Sequence, residues 1–383
     1  MPAAEPSASA ASYTTSSPLA SRDYLPALTG LRAIAAWLVF FNHYPLGPIP
    51  PPGIARAIQY LVDESHGLPL LLLLSGFLIA LRYDSGTANF RPKGGWRHYL
   101  LGRLARIYPL YALLTLATFA LLWYWQSPHV TPGLIALNLT LLRSFFDEYK
   151  FTGIGQAWSL TLFECFYLAA PFVLSLQRRG LPLWLQPLIL LGLGTGLVAL
   201  LAPLKLHGLF GSYPFMLSFT FFGHSLEFFV GVWLARRYQS GRLGSPAGIS
   251  RTLGGALLYV AVTVALGFTQ AQFHNPDHPL TLVLNLVGFP AAGGLLFAGL
   301  LSEYSWFRQL LSGNLFQKLG RSSYSFYLLH AGPLSFWVYE RLPNFWLLQL
   351  LAVQIASYIL YVMLELPVYS LLKPQRRVVS SIE

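Results

Sequence analysis

Charge is what this chain has least of. Asp, Glu, Lys and Arg make up 10% of its 383 residues, against about a quarter in an ordinary soluble domain. Cysteine occurs once, as Cys165, so neither an intrachain disulfide framework nor a cysteine metal site is possible. No HExxH pair proposes zinc, and no glycine-rich phosphate loop supports ATP-driven chemistry. There is no internal repeat, and no pair of matching broken helices of the kind that marks inverted transporter halves. The first stretch, 1–23, is rich in Ala, Ser and Pro but lacks the basic start and apolar core of a signal peptide. It reads as a disordered cytoplasmic tail.

What the chain has instead is apolar length. Hydrophobic residues are 55% and aromatics 15% of the sequence, the composition of an integral membrane protein. Runs of spanning length occur near 25–44, 66–82, 100–125, 156–176, 183–203, 212–235, 252–269, 280–301, 323–340 and 345–372. A further run, 131–142, is short and bounded by Pro132 and Arg143. If it does not cross, all but five of the 25 lysines and arginines fall on one side. The five are Arg56, Arg143, Lys150, Lys205 and Arg341. If it does cross, the basic residues divide almost evenly. The positive-inside rule selects the first arrangement: ten transmembrane helices, both termini cytoplasmic, and 131–142 external or re-entrant. The expected architecture is an all-α polytopic membrane domain over 24–372, followed by a short cytoplasmic tail, 373–383. The net charge of +11 belongs to this topology rather than to nucleic-acid binding, because the basic residues sit in loops between apolar runs.

Polar residues inside such runs mark candidate sites. The first run, LPALTGLRAIAAWLVFFNHY, carries Arg32 and His43. Eleven helical residues bring both onto one face, about 16 Å apart along the axis. Arg103 and Arg106 are neighbours at i and i+3 where the third run begins, suited to bidentate recognition of phosphate or pyrophosphate. Anchoring in the head groups explains such a pair equally, and explains Arg91, Lys93 and Arg97 better. Glu164 lies deep in QAWSLTLFECFY, where a lone carboxylate must be paired or protonated; Trp158 and Tyr167 offer polar edges nearby. Ser323, Tyr327 and His330 form one polar stripe in LGRSSYSFYLLH. Glu227 and Glu365 are further intramembrane acids, each free to pair with an arginine. His66, His98, His129, His207, His274 and His278 fall in loops or near surfaces and suggest no chemistry.

Taken in order, four stretches resemble the integral membrane acyltransferase-3 family, whose members acylate cell-surface glycans and some small molecules. They are Gly30-Leu31-Arg32 with ten residues between Arg32 and His43, Ser75-Gly76-Phe77-Leu78-Ile79, the GRLARIYPLY box, and LGRSSYSFYLLH. The resemblance covers about 24–372. One position departs from it: the glutamate usual in the fifth-helix box is Phe163 here, and Glu164 follows one residue later, about 100° around a helix.

The resemblance implies acyl transfer from a cytoplasmic acyl-CoA, most often acetyl-CoA, to a sugar hydroxyl outside the plasma (inner) membrane. By it, Arg103 and Arg106 hold CoA phosphates. His43 serves as general base, Arg32 holds charge in the tunnel, and Glu164 orients the site. Ser75, Trp158, Tyr327 and His330 line the substrate tunnel. No bound metal or permanent cofactor is implied. A proton-coupled secondary transporter and a non-catalytic partner of a glycan-assembly complex remain the competing classes, and oligomeric state is not readable. On the acyltransferase reading, His43→Ala abolishes glycan acylation while leaving membrane insertion intact. The O-acyl content of surface polysaccharide checks this.

Overall fold

A computed structural model describes residues 24–44, 51, 53–84, 95–127, 130–244, 250–342 and 345–372. The two expected tails, Arg91, Lys93 and His129 lie outside the described residues. The described chain is helical, with no strand and one isolated bridge between Phe146 and Leu209.

In order the helices are α1 (Pro26–His43), α2 (Ile54–Asp63), α3 (Leu68–Tyr83), α4 (Gly95–Tyr124), α5 (Pro132–Leu139) and α6 (Trp158–Arg178). Next come α7 (Leu185–Leu201), α8 (Tyr213–Phe219), α9 (Ser225–Gln239), α10 (Arg251–Phe273), α11 (Pro279–Val283) and α12 (Phe289–Ser302). The chain closes with α13 (Trp306–Ser312), α14 (Asn314–Arg321), α15 (Ser323–Leu329), α16 (Pro333–Arg341), α17 (Trp346–Leu360) and α18 (Leu366–Leu372).

Six helical stretches are long and apolar enough to cross a membrane: Arg97–Tyr124, Gly155–Leu176, Leu185–Leu204, Arg251–Phe273, Pro279–Ser302 and Trp346–Leu372. A seventh is added if α2 and α3, bent by 48° where they meet, form one span. Leu188, Ile189, Leu193 and Leu200 of α7 are exposed, as side chains that meet lipid rather than water would be. The segment after α4 holds no helix long and apolar enough to cross. Its helix α5 has 8 residues, about 12 Å, against a hydrocarbon core of about 30 Å.

Two of the ten apolar runs are broken. The run 212–235 divides into α8 and α9, separated by residues 220–224. The run 323–340 divides at His330, where Gly332 adopts φ +125° and Pro333 opens the next helix. A proline ring cannot extend the preceding hydrogen-bond ladder, and a positive φ does not belong to a right-handed helix. Hydropathy is blind to such breaks because the residues on both sides remain apolar.

The interior is built by close helix contacts. α3 packs most extensively on α9, α10 on α12, and α1 on α13 and α14. Gly76, in the Ser-Gly-Phe box, sits where α3 meets α9: a Cβ there would lie 2.1 Å from the Phe228 carbonyl oxygen. That glycine is therefore a packing requirement, in keeping with membrane helices that approach through small residues.

Outside the spans, Glu303 ties the end of α12 to the start of α10. Its carboxylate accepts from the Ser250 hydroxyl and from the backbone N–H groups of Arg251 and Thr252, and so satisfies donors at a helix N-terminus. Burial opposes its charge, but these hydrogen bonds outweigh burial and hold the carboxyl below its usual range. The folded state thus binds this proton less tightly than the unfolded chain does. The stabilisation is present above the ordinary carboxylate range and is lost as the pH falls through the lower, folded-state value. Glu303→Gln is expected to cost about 1–2 kcal/mol near neutral pH, read as a lower Tm in detergent, with the difference from the unaltered protein shrinking in acid.

Candidate functional site

Three arginines from two helices converge. Arg32 on α1 and Arg103 and Arg106 on α4 line one cavity of about 130 Å³, together with Ser75, Phe163 and Tyr327. Helical spacing puts Arg103 and Arg106 on one face of α4, and α1 supplies Arg32 beside them. Among the described residues none of the three guanidinium groups makes a salt bridge or a hydrogen bond. The Arg103 guanidinium carbon lies 4.9 Å from the Tyr167 ring centroid and 5.7 Å from that of Tyr99. Those faces hold a planar cation without spending its donors. The Ser75 hydroxyl is buried and also unpartnered among the described residues.

Acids stand near the arginines but not on them. Glu365 accepts a 2.5 Å hydrogen bond from the Ser325 hydroxyl and lies within electrostatic range of Arg106 and Arg32. Glu164 faces the Arg103 charge at longer range, and its Oε1 is buried without a partner among the described residues. Phe163, at the position where the family carries glutamate, lines the cavity; Glu164, one step around α6, does not. Behind Arg106 lies a second recess of about 90 Å³ between α4 and the last helix, bounded by Pro109, Leu364 and Glu365.

The histidines stand at the other end of the site. The cavity follows α1 from Arg32 to Ala36, and His43 lies seven residues further, about 10 Å along the axis. Tyr327 is the partition. It lines the cavity, and its ring lies 5.5 Å from that of His330. Its hydroxyl donates to the Gln156 carbonyl at 2.5 Å and accepts from the Ser159 hydroxyl at 2.7 Å. His330 is fully buried, and its ring centroid is 5.2 Å from that of His43. His43 is exposed and has no hydrogen-bond partner among the described residues.

Trp158 is not on the cavity wall; it packs edge-on against Phe219, with the His224 ring 6.3 Å away. Glu227 pairs with His224 rather than with an arginine: Oε1 to Nδ1 is 2.9 Å, and His224 Nε2 donates to the Ser218 carbonyl at 2.9 Å. The break between α8 and α9 exposes that carbonyl, and the pair bridges it.

Sequence reasoning passed over Gln156. Buried two residues before Trp158, it donates its amide to the carbonyls of Tyr327, Leu328 and Ala331 at 2.8–3.1 Å. Those carbonyls are left open by the end of α15. A glutamine at the entrance of an apolar run was the available signal. Arg143, counted among the outer charges, is also fully buried. It donates to Asn138 Oδ1 at 2.8 Å and to the Ile154 carbonyl at 2.5 Å, tying α5 to the turn that precedes α6. No group of three or more potential metal ligands occurs among the described residues.

An all-helical membrane protein with a cationic cavity at one end of a helix and an imidazole pair at the other is a defined class of site. Comparison with known proteins places it. The model of the family described as an acyltransferase domain matches residues 25–366, and the chain belongs to that family, the integral membrane acyltransferase-3 proteins. It is 31% identical over 198 residues to a protein of Acidianus two-tailed virus named "Putative acetyltransferase ORF330", covering 51% of this chain and 56% of that one. It is 30% identical over 176 residues to Acyltransferase MdmB of Streptomyces mycarofaciens, 40% of each chain. A Staphylococcus aureus protein named "Putative O-acetyltransferase" is 21% identical over 345 residues, 82% of this chain and 51% of that one. The chain thus spans about half the length of the curated relatives it matches. No solved structure matches.

Proposed function

We propose that this protein is a membrane-embedded O-acyltransferase. It moves an acyl group, acetyl in the simplest case, from cytoplasmic acyl-CoA to a hydroxyl of a polysaccharide or glycolipid sugar outside the plasma (inner) membrane. The chain crosses ten times with both termini in the cytoplasm, two of the crossings being broken helices. This orientation puts the arginine cavity toward the donor and His43 toward the acceptor.

The observation that carries the reading is the set of three guanidinium groups on one cavity without an ion pair among the described residues. Charge inside a membrane protein is costly unless it is matched. An anionic ligand supplies the match, and CoA brings phosphate and pyrophosphate groups suited to bidentate arginines. Arg103 and Arg106 hold these phosphates, while Arg32 and Ser75 meet the pantetheine arm or the thioester oxygen deeper in. Glu164 orients Arg103. The acyl-bearing end passes the Tyr327 partition to reach the histidines.

His43 takes the proton of the attacking hydroxyl, the oxygen bonds to the thioester carbonyl carbon, the C–S bond breaks, and the proton goes to the CoA sulfur. The products are the sugar ester and free CoA thiol. The broken helices at 220–224 and 330–332 are the feature a transporter reading would use; such a protein accumulates substrate in vesicles with no covalent change.

Arg103→Lys and Arg106→Lys keep the charge but lose the bidentate fork. Each is expected to raise KM for acetyl-CoA on the order of ten- to a hundred-fold, measured as transfer of labelled acetyl from acetyl-CoA to envelope glycan in membrane vesicles. Unchanged KM in both variants would remove the donor site.

A further inference from the structure

His330 carries an unanswered hydrogen-bonding group. Its Nδ1 lies 2.8 Å from the Tyr327 carbonyl oxygen. A carbonyl only accepts, so Nδ1 bears the proton and Nε2 presents a lone pair. That Nε2 is buried and has no partner among the described residues, a state that folded proteins rarely leave without a reason. The backbone around it is held from several sides. The Tyr327 carbonyl also receives the Gln156 amide, and the hydroxyls of Tyr44 and Tyr339 donate to the carbonyl of His330 itself at 2.8 and 3.3 Å. Neither the ring nor the tautomer is free to drift.

The nearest ring able to donate is His43. The two planes are inclined by 26° and the centroids are 5.2 Å apart. Face-to-face stacking would bring them closer. Two imidazoles joined in plane by one N–H···N bond of about 2.9 Å have centres about 5.2 Å apart. The spacing matches that of a hydrogen-bonded pair, and the His43 ring, stacked on His330 and without a hydrogen bond of its own among the described residues, has no other polar contact to give up in turning toward it.

We propose that His330 is the positioning residue of His43. In the working enzyme a His43 ring N–H donates to His330 Nε2. This fixes the orientation and tautomer of His43 and leaves its other nitrogen as the open base for the acceptor hydroxyl. The logic is that of a base oriented by a third group. Here the support is a neutral imidazole braced by a carbonyl, so no second charge enters the membrane interior. The proposal rests on the acyltransferase reading only for what the base does; the pair itself is testable without substrate.

With 15N-labelled histidine in the full chain in lipid nanodiscs, His330 is expected to show an unprotonated Nε2 coupled through a hydrogen bond to a His43 ring nitrogen. His330→Phe keeps a ring but removes the acceptor. It is expected to lower kcat for acetyl transfer about 10- to 100-fold with KM for acetyl-CoA unchanged. His330→Gln retains an acceptor oxygen and is expected to recover most of that loss. Uncoupled rings with His330 protonated at Nε2 would overturn the proposal. So would full kcat in His330→Phe, or a loss in His330→Gln as deep as in His330→Phe. Absence of any acetyl transfer by the unaltered protein would instead count against the functional reading, and leave the coupling measurement to judge the pair.

Discussion

The structure turns on holding positive charge in a place that resists it. A guanidinium in hydrocarbon costs several kcal/mol even after snorkelling and local water entry, yet Arg32, Arg103 and Arg106 share one cavity. The surrounding side chains reduce that cost without cancelling it. Tyr99 and Tyr167 offer ring faces to Arg103, and Glu365 sets a carboxylate near Arg32 and Arg106 while bonding to Ser325. Direct carboxylate pairing would satisfy the arginines and close the cavity to an anion. Acids held at a distance, with aromatic faces alongside, keep the charge tolerable and its hydrogen-bond donors unspent.

The same economy of polar groups governs the other end. Breaking a membrane helix frees carbonyls that hydrocarbon cannot satisfy. At the end of α15 the freed groups are met by Gln156, by two tyrosine hydroxyls and by the His330 ring itself. The break thereby becomes a rigid mount for an imidazole. The α8–α9 break is bridged by His224 and Glu227 in a parallel way. Polar side chains that read as isolated oddities along an apolar sequence are the partners of broken backbone.

Tyr327 joins the two ends. Its ring closes the arginine cavity, its hydroxyl is fixed by Gln156 and Ser159, and its carbonyl holds the His330 proton. A single residue therefore registers the arginine side against the histidine side, and the segment 143–159 grips it. That segment is itself locked by the buried Arg143.

Composition and periodicity alone determined that this chain lives in a membrane and that Arg32 and His43 share a helix. Those features follow from local hydrophobicity and from helical geometry, which no neighbour can alter. The four motif stretches identified the family because their residues and order are written in the chain. Only the tertiary structure decided that Arg32 joins Arg103 and Arg106, that Phe163 rather than Glu164 faces the cavity, and that Glu227 pairs with histidine. The breaks after Phe219 and at His330, and the role of Gln156, were likewise invisible to hydropathy. Each depends on which open carbonyl or charge another helix brings within hydrogen-bonding distance, and that is a property of packing between segments far apart in the chain.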